Sequence, residues 1–289
     1  MTVTRRHRWL ALLGLSIATP VAAQRPAPAE PGVIRVCADP DNLPSSNSAG
    51  EGYENKLAEM LAQAWNSKLV YVWWAAPRGL VSRALNGQYC DVIMEAPSLV
   101  GYDMAGVTRP YYRSSYVIAQ RADAPHRVMD LDDPVLKTMK IGVHLYAADA
   151  ENSPPAMVLS HHGVVGNLQG FGTAFVGGRD HPQDIIQAVV DGKVDVAMVW
   201  GPIAGYFGKQ LGANLTLTPI ADDSALQTPM AYNIGFAVRR RDRALKDSLE
   251  KFISTRGSDI RAVLETFGIP MLPLAADPST GSADGPPSR

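Results

Sequence analysis

Cysteine is scarce: only Cys37 and Cys90 occur in 289 residues. No C-x-x-C exists, which removes redox chemistry of the thioredoxin kind. Among the histidines, His161 and His162 have no carboxylate or cysteine at ligand spacing, so they read as solvent-facing charges late in a short helix rather than as a metal site. G-x-S-x-G, H-E-x-x-H and a P-loop are all missing, and the expectation is a chain with no catalytic residues and no cofactor. Charge of either sign is not in excess, with 27 basic against 28 acidic residues and a net charge of −1, which disfavours a general nucleic-acid role. Long apolar runs are lacking as well. The longest near the N-terminus, Trp9 to Ala18, falls short of the roughly 20 residues a membrane span needs.

That short run has a use. It follows Arg5, Arg6 and Arg8 and ends at the small-residue site Val21-Ala22-Ala23, so residues 1–23 read as a cleaved secretory signal peptide. Cys37 follows Ile34-Arg35-Val36 instead of the small residues that precede a lipidated cysteine, which argues against a lipid anchor. The expected product is an exported, periplasmic protein with no stable membrane anchor. Without residues 1–23, 24 basic residues face 28 acidic ones. In an oxidising compartment the default for Cys37 and Cys90 is a disulfide, the alternative being a reduced pair in the core.

Residues 24–32 form a Pro-rich linker, and 271–289 are expected to be a flexible tail. Between them the chain uses one grammar twice. V-I-R-V-C-A-D-P, G-Y-E-N-K-L-A-E-M-L, L-V-Y-V-W-W, L-V-S-R-A-L-N-G and Y-C-D-V-I-M-E-A-P predict strand, helix, strand, helix, strand. M-K-I-G-V-H-L-Y opens a second such run, with predicted helices Ala156 to His162 and Pro182 to Asp191 and the strands N-L-Q-G-F and V-D-V-A-M-V-W-G-P. In both runs a helix ends at Asn86-Gly87 or Asp191-Gly192, and an aspartate, Asp91 or Asp195, then opens an apolar strand. The strands L-T-L-T-P-I and I-G-F-A-V-R-R return the chain to the first unit, and helices Ala244 to Ser254 and Ser258 to Phe267 close it. The predicted fold class is α/β with two lobes, each a mostly parallel sheet flanked by helices. Lobe 1 takes residues 33–119 and 223–270, lobe 2 takes 120–222, and a two-stranded hinge joins them.

The region from Val33 to about Pro270 resembles the type II periplasmic solute-binding proteins, the Venus-flytrap family that serves importers. Within it, R-V-C-A-D-P-D-N-L-P, Y-V-W-W, C-D-V-I-M, T-R-P-Y-Y-R-S-S-Y-V, I-G-V-H-L and V-D-V-A-M-V-W-G-P-I-A-G-Y-F are most similar to the accessory proteins (MxaJ/XoxJ) found with quinoprotein methanol dehydrogenases. The resemblance implies a non-catalytic binding protein of methylotrophy whose partner is a periplasmic PQQ-dependent alcohol dehydrogenase of the calcium or lanthanide type, with its cytochrome c as a second candidate. The other reading is an importer's solute-binding component with a small-molecule ligand in its cleft.

Amino-acid-binding relatives carry T-x-x-R about nine residues before a Pro-Tyr; here Gly101-Tyr102-Asp103 fills that place, so the usual carboxylate grip is missing. Ser45 stands where an aromatic commonly follows Leu-Pro, and Glu95 where a glycine commonly ends the third strand. Both are expected to face the cleft and make it more polar. The cleft residues expected at the strands' carboxyl ends are Asp39, Asp41, Asn42, Trp74, Arg78, Glu95, Tyr102, Arg109 and Tyr111 from the first lobe, with His144, Tyr146, Trp200 and Tyr206 across from them. Several have a plainer reading: an Asx turn for Asp39 beside Pro40, a core ring for Tyr111, and a satisfied buried imidazole for His144. Trp73 and Trp74 point to opposite faces of a strand, one to the core and one to the cleft mouth or an interface.

Overall fold

The computed structural model describes residues 31–75, 79–98, 104–146, 151–172 and 181–274. Residues 1–23, most of the 24–32 linker, Arg78 and Tyr102 lie outside them, as does the end of the tail from 275 onward. The first unit runs β1 (Val33–Ala38), the two-residue strands β2 (Asp41–Asn42) and β3 (Ser46–Asn47), α1 (Tyr53–Ala64), β4 (Lys68–Trp73), a π-helical stretch (Leu80–Leu85), β5 (Val92–Pro97) and β6 (Gly106–Val107). After β7 (Tyr112–Arg121) come β8 (Ile141–Tyr146), β9 (Glu151–Asn152), α2 (Pro154–His161), β10 (Leu168–Gly172), α3 (Asp184–Val190), β11 (Val196–Trp200), α4 (Gly201–Gln210) and β12 (Leu215–Pro219). The chain closes with β13 (Ala231–Val238) and α5 (Arg243–Thr266).

In the first sheet β1 lies between β4 and β5, parallel to both, and β13 pairs antiparallel with β5. In the second, β8 lies between β10 and β11, again parallel to both, while β7 runs antiparallel between β11 and β12. Strand β7 belongs to both sheets. Tyr112 to Ser115 pair with β13, and Tyr116 onward pairs with β11 and β12.

Each sheet is covered on both faces, which is why its central strands read as continuous apolar runs. Along β1, Ile34, Val36 and Ala38 enter one core with Leu57 and Leu61 of α1 and Phe252 of α5, while Cys37 enters a second core with Leu85 and Ile93. In the second sheet, Ile118 and Met198 face Leu159 of α2, and Val117 and Val199 face Ile186 of α3 and Phe207 of α4. The two helices expected at the C-terminus follow one another within α5 and meet at a kink at Arg256, whose φ of −118° and ψ of 17° are not helical. Helix α4 has no counterpart among the expected helices, because Gly201, Pro202, Gly205 and Gly208 give it poor helix propensity. A Cβ at Gly205 would lie 2.0 Å from the Gly268 carbonyl oxygen, so glycine here permits α4 to press against the chain that follows α5.

That chain is fastened to the first-unit half of β7 and, through Lys209, to α4 of the second unit. Ser114 Oγ donates to the Pro270 carbonyl at 2.7 Å, Leu272 N–H donates to the Arg113 carbonyl at 2.8 Å, and Lys209 Nζ donates to the Thr266 carbonyl at 2.7 Å. Cys37 and Cys90 form the expected disulfide, with Cα atoms 5.4 Å apart.

Candidate functional site

The carboxyl ends of β1 and β5 meet the start of α1, and the polar residues collected there define the site. The loop from Asp39 to Gly52 is held by its own side chains. Asp39 Oδ1 accepts from Asp41 N–H at 3.0 Å, and Ser46 Oγ donates to the Asp39 carbonyl at 2.9 Å. Asn55 Oδ1 accepts from both Asn47 N–H and Gly52 N–H at 3.0 Å, fastening the loop to the first turn of α1. Gly52 is sterically required, since a Cβ there would lie 2.1 Å from the Ser45 carbonyl oxygen.

This clasp brings Ser45 over the end of β5. Ser45 Oγ donates to Glu95 Oε2 at 3.0 Å, so the two departures from the accessory-protein pattern touch each other. Tyr53 Oη also donates to Glu95 Oε2, and Tyr112 Oη donates to Glu95 Oε1 at 3.0 Å. Three hydroxyls thus point at one carboxylate. Glu54 lies beside it; burial first, then the charge of Glu95 and a hydrogen bond to it, hold the Glu54 carboxyl well above the usual range. The protonated acid is favoured, with Glu95 as acceptor. Burial, followed by the Glu95 charge, likewise pushes the phenols of Tyr53, Tyr111 and Tyr112 up, which keeps them as donors. Among the described residues no lysine or arginine pairs with either glutamate. Among the described residues the floor is acidic, hydroxyl-rich and without a cation, a surface suited to hydrogen-bond donors or a positive group and unsuited to a carboxylate.

Around it lie rings. Tyr206 of α4 stacks on Phe267 with centroids 5.7 Å apart and planes at 20°, and Phe267 meets Tyr53 edge-on at 6.1 Å. Trp200, where β11 ends, meets Tyr116 at 5.4 Å and Tyr232 at 5.9 Å, packing against cores of both units. Leu43 reaches from the first unit to the core containing Ile203 and Phe171.

Of the residues expected at the cleft, Asp39, Glu95, Trp200 and Tyr206 lie at this junction. Asp41 and Asn42 lie in the small hairpin beside it, with Asp41 exposed. Asp39 forms the Asx turn of its plainer reading, and burial raises its carboxyl. Trp74 packs against the disulfide-containing core, whereas Trp73 is 37% exposed and stacks on Tyr71. Arg109 turns to Glu250 of α5, with its N–H on Oε1 at 3.1 Å and its guanidinium 3.8 Å from Oε2. Tyr111 stacks on Phe236 and donates to the Met94 carbonyl at 2.7 Å. His144 is buried in β8, and burial lowers its pKa to about 4, so the ring is neutral. Tyr146 ends β8; its side chain, like all of Arg78 and Tyr102, lies outside the described residues. Ser45, Tyr53, Glu54 and Tyr112 complete the floor without having been singled out as one group. Ser45 carried a signal in its mismatch with the accessory-protein pattern and Tyr112 in the aromatic run Tyr111-Tyr112-x-x-x-Tyr116, whereas Tyr53 and Glu54 carried none.

A two-unit α/β chain whose polar site sits at the strands' carboxyl ends and at the junction of the units has the build of a solute-binding protein, and the sequence pattern of the bacterial extracellular solute-binding protein family matches residues 55–269. The chain belongs to that family, whose members bind without catalysing a reaction. It is 29% identical to Protein MoxJ of Methylorubrum extorquens over 272 residues, covering 89% of this chain and 87% of that protein. Protein MoxJ of Paracoccus denitrificans is 28% identical over the same length, with 95% of it covered. Among solved structures, XoxJ of Methylobacterium extorquens AM1, described as a periplasmic binding protein, superposes with a TM-score of 0.67 at 31% identity, covering 84% of this chain and all of that one. MxaJ of Methlophaga aminisulfidivorans MPT gives 0.72 at 27%, covering 83% and all of that chain.

Proposed function

We propose that this protein is a periplasmic accessory protein that binds a PQQ-dependent alcohol dehydrogenase, reaching that compartment through a signal peptide at residues 1–23 that is then removed. The observation that carries this reading is similarity to the MoxJ, MxaJ and XoxJ proteins along nearly the whole chain rather than in one motif. Consistent with it, no helix among the described residues is long and apolar enough to cross a membrane. The cleft would then receive a segment of the dehydrogenase or a small effector, with Glu95, Asp39, Trp200 and Tyr206 as its contacts. Native mass spectrometry of the purified protein with a periplasmic quinoprotein dehydrogenase tests this. A stable complex is expected, together with loss of dehydrogenase activity in cells lacking this chain. Absence of any complex at micromolar concentrations, with normal activity in those cells, overturns it.

The acidic floor favours a second reading, an importer's binding component for a small solute other than a conventionally held amino acid. No guanidinium stands where the family's amino-acid binders carry one, whereas three hydroxyls and two carboxyls are gathered at Glu95. A solute retained through purification, and released by Glu95→Gln, decides for it.

A further inference from the structure

The turn from β13 into α5 reads Arg239-Arg240-Arg241-Asp242-Arg243, with Lys246 one turn further on. It lies at the far edge of the first sheet from the site. Because β13 runs antiparallel to β5, with Ile234 opposite Pro97 and Ala237 opposite Ile93, the end of β13 comes to the beginning of β5 while Glu95 stands near its other end.

One arginine of the run is structural. Arg239 Nη2 lies 3.1 Å from Asp91 Oδ1 and 2.7 Å from Asp242 Oδ2, and its Nη1 donates to the Cys90 carbonyl. With Asp242 N–H on the Arg239 carbonyl at 2.9 Å and Arg243 N–H on the Arg241 carbonyl at 3.0 Å, the turn is rigid and holds its neighbours outward. Arg240, Arg241 and Arg243 are exposed, and neither Arg241 nor Arg243 has an ion pair among the described residues. Two open hollows adjoin there. One, about 650 Å³, is lined by Asn86, Gln88, Met104, Arg240, Arg241 and Asp242, the acid already paired with Arg239. The other, about 460 Å³, shares Arg240 and continues past Arg243, Lys246 and the single acid Asp247. Met104, 49% exposed, sits in the first hollow, and Tyr89, 39% exposed, follows Gln88 of its wall.

We propose that this face docks an acidic polypeptide segment of a protein partner, independently of what the cleft takes. The cations are concentrated on a chain whose overall charge is not positive, so the local field steers acidic groups here rather than to the surface at large. Guanidinium groups presented by a fixed turn lose little freedom on pairing with carboxylates. Arginine, methionine and tyrosine together are the residues enriched at protein interfaces. Two adjoining hollows with an exposed apolar side chain lining one of them fit an extended chain better than a flat bilayer surface.

Fluorescence anisotropy with a labelled octaglutamate peptide at 50 mM and 300 mM NaCl tests the proposal. Binding is expected at low salt and weakens at least tenfold at high salt. The R241E/R243E variant should bind at least tenfold more weakly, while K137E/K251E, an equal charge reversal at exposed sites elsewhere, stays within twofold of the unmodified protein. Both variants should keep its melting temperature. Equal loss in the two variants would reduce the effect to net charge and overturn the site. Absence of peptide binding at 50 mM overturns it as well, and so does binding of phosphatidylglycerol vesicles that the R241E/R243E change abolishes while the peptide fails to bind.

Discussion

The two units use the same joint and secure it differently. In the first, Asp91 N–H donates to the Arg35 carbonyl at 2.8 Å and Asp91 Oδ2 accepts from Arg35 N–H at 3.1 Å; in the second, Asp195 N–H donates to the Lys140 carbonyl at 2.9 Å and Asp195 Oδ2 accepts from Lys140 N–H at 2.8 Å. Each aspartate stitches the start of its strand to the neighbouring parallel strand. Lys140 offers Asp195 only its backbone in an exposed setting, whereas Arg35 wraps Asp91 with Nε at 2.9 Å and Nη2 at 2.7 Å, and Arg239 adds a third contact. Burial alone would raise the Asp91 carboxyl, but the two guanidinium groups overcome it and hold it below the usual range. Two residues along β1 from Arg35, the disulfide joins the same pair of strands again. The first unit is therefore stapled at the joint where the second relies on backbone hydrogen bonds.

The largest test of that asymmetry is removal of the aspartates. Asp91→Ala takes its carboxylate from the buried Arg35 guanidinium and leaves Arg239 with Asp242 alone as acidic partner, and should cost about 3–5 kcal/mol in urea unfolding. Asp195→Ala loses one side-chain hydrogen bond and should cost about 1 kcal/mol. Equal losses would mean the joints are equivalent and the arginines contribute nothing. Reducing the bond, or Cys37→Ala with Cys90→Ala, removes a 53-residue closure worth about 4 kcal/mol in the chain-entropy model. An unfolding midpoint unmoved by reductant would contradict it.

Acid and base offer a further comparison through one fully buried group of each unit, His144 and Glu54, which shift in opposite senses. His144 in the second sheet has its pKa lowered from 6.5 to about 4, so between those values the unfolded chain binds the extra proton and stability falls as pH drops. The full loss is about 3 kcal/mol. In the first unit, Glu54 is raised above 4.5, so the folded chain binds the extra proton and stability falls as pH rises past 4.5. His144→Leu should flatten the acid limb of a stability profile and Glu54→Gln the opposite one. If either variant leaves its limb unchanged, the assignment of that limb fails.

Much of this organisation was legible in the chain, because periodicity and punctuation are local. The strands, the Asp-first repeat and the cysteine pair all follow from residues close in sequence or from strand adjacency. Even the matching Asn86-Gly87 and Asp191-Gly192 ends diverge in detail: Gly192 takes the left-handed conformation at φ 68°, while in the first unit Gln88 takes it at φ 65° and Gly87 is needed because a Cβ would lie 1.9 Å from the Arg83 carbonyl oxygen. The site was only half legible. Glu95 and Ser45 stood out, but their tyrosine partners come from a helix start and from the strand shared by both sheets, and nothing in sequence spacing brings Tyr53 to Tyr112. Arg109, read as a cleft cation, is taken by Glu250, which lies 141 residues away.

The smallest expected effect is the most specific to this chain. Among the described residues only the first unit contributes carboxylates to the floor; the second brings Trp200 and Tyr206. Ser45 and Glu95, the two residues expected to depart from the accessory-protein pattern, meet in one hydrogen bond at 3.0 Å. Ser45→Ala removes one of the three hydroxyls that donate to Glu95 and should cost about 1 kcal/mol. Made in a Glu95→Ala background, the same change should cost less, since only the contact of Ser45 Oγ with Tyr53 Oη at 3.3 Å remains to be lost. The coupling in this double-mutant cycle equals the hydrogen bond's net contribution. If the two losses simply add, the substitutions are independent neighbours, and the polarity of the floor does not depend on the pair.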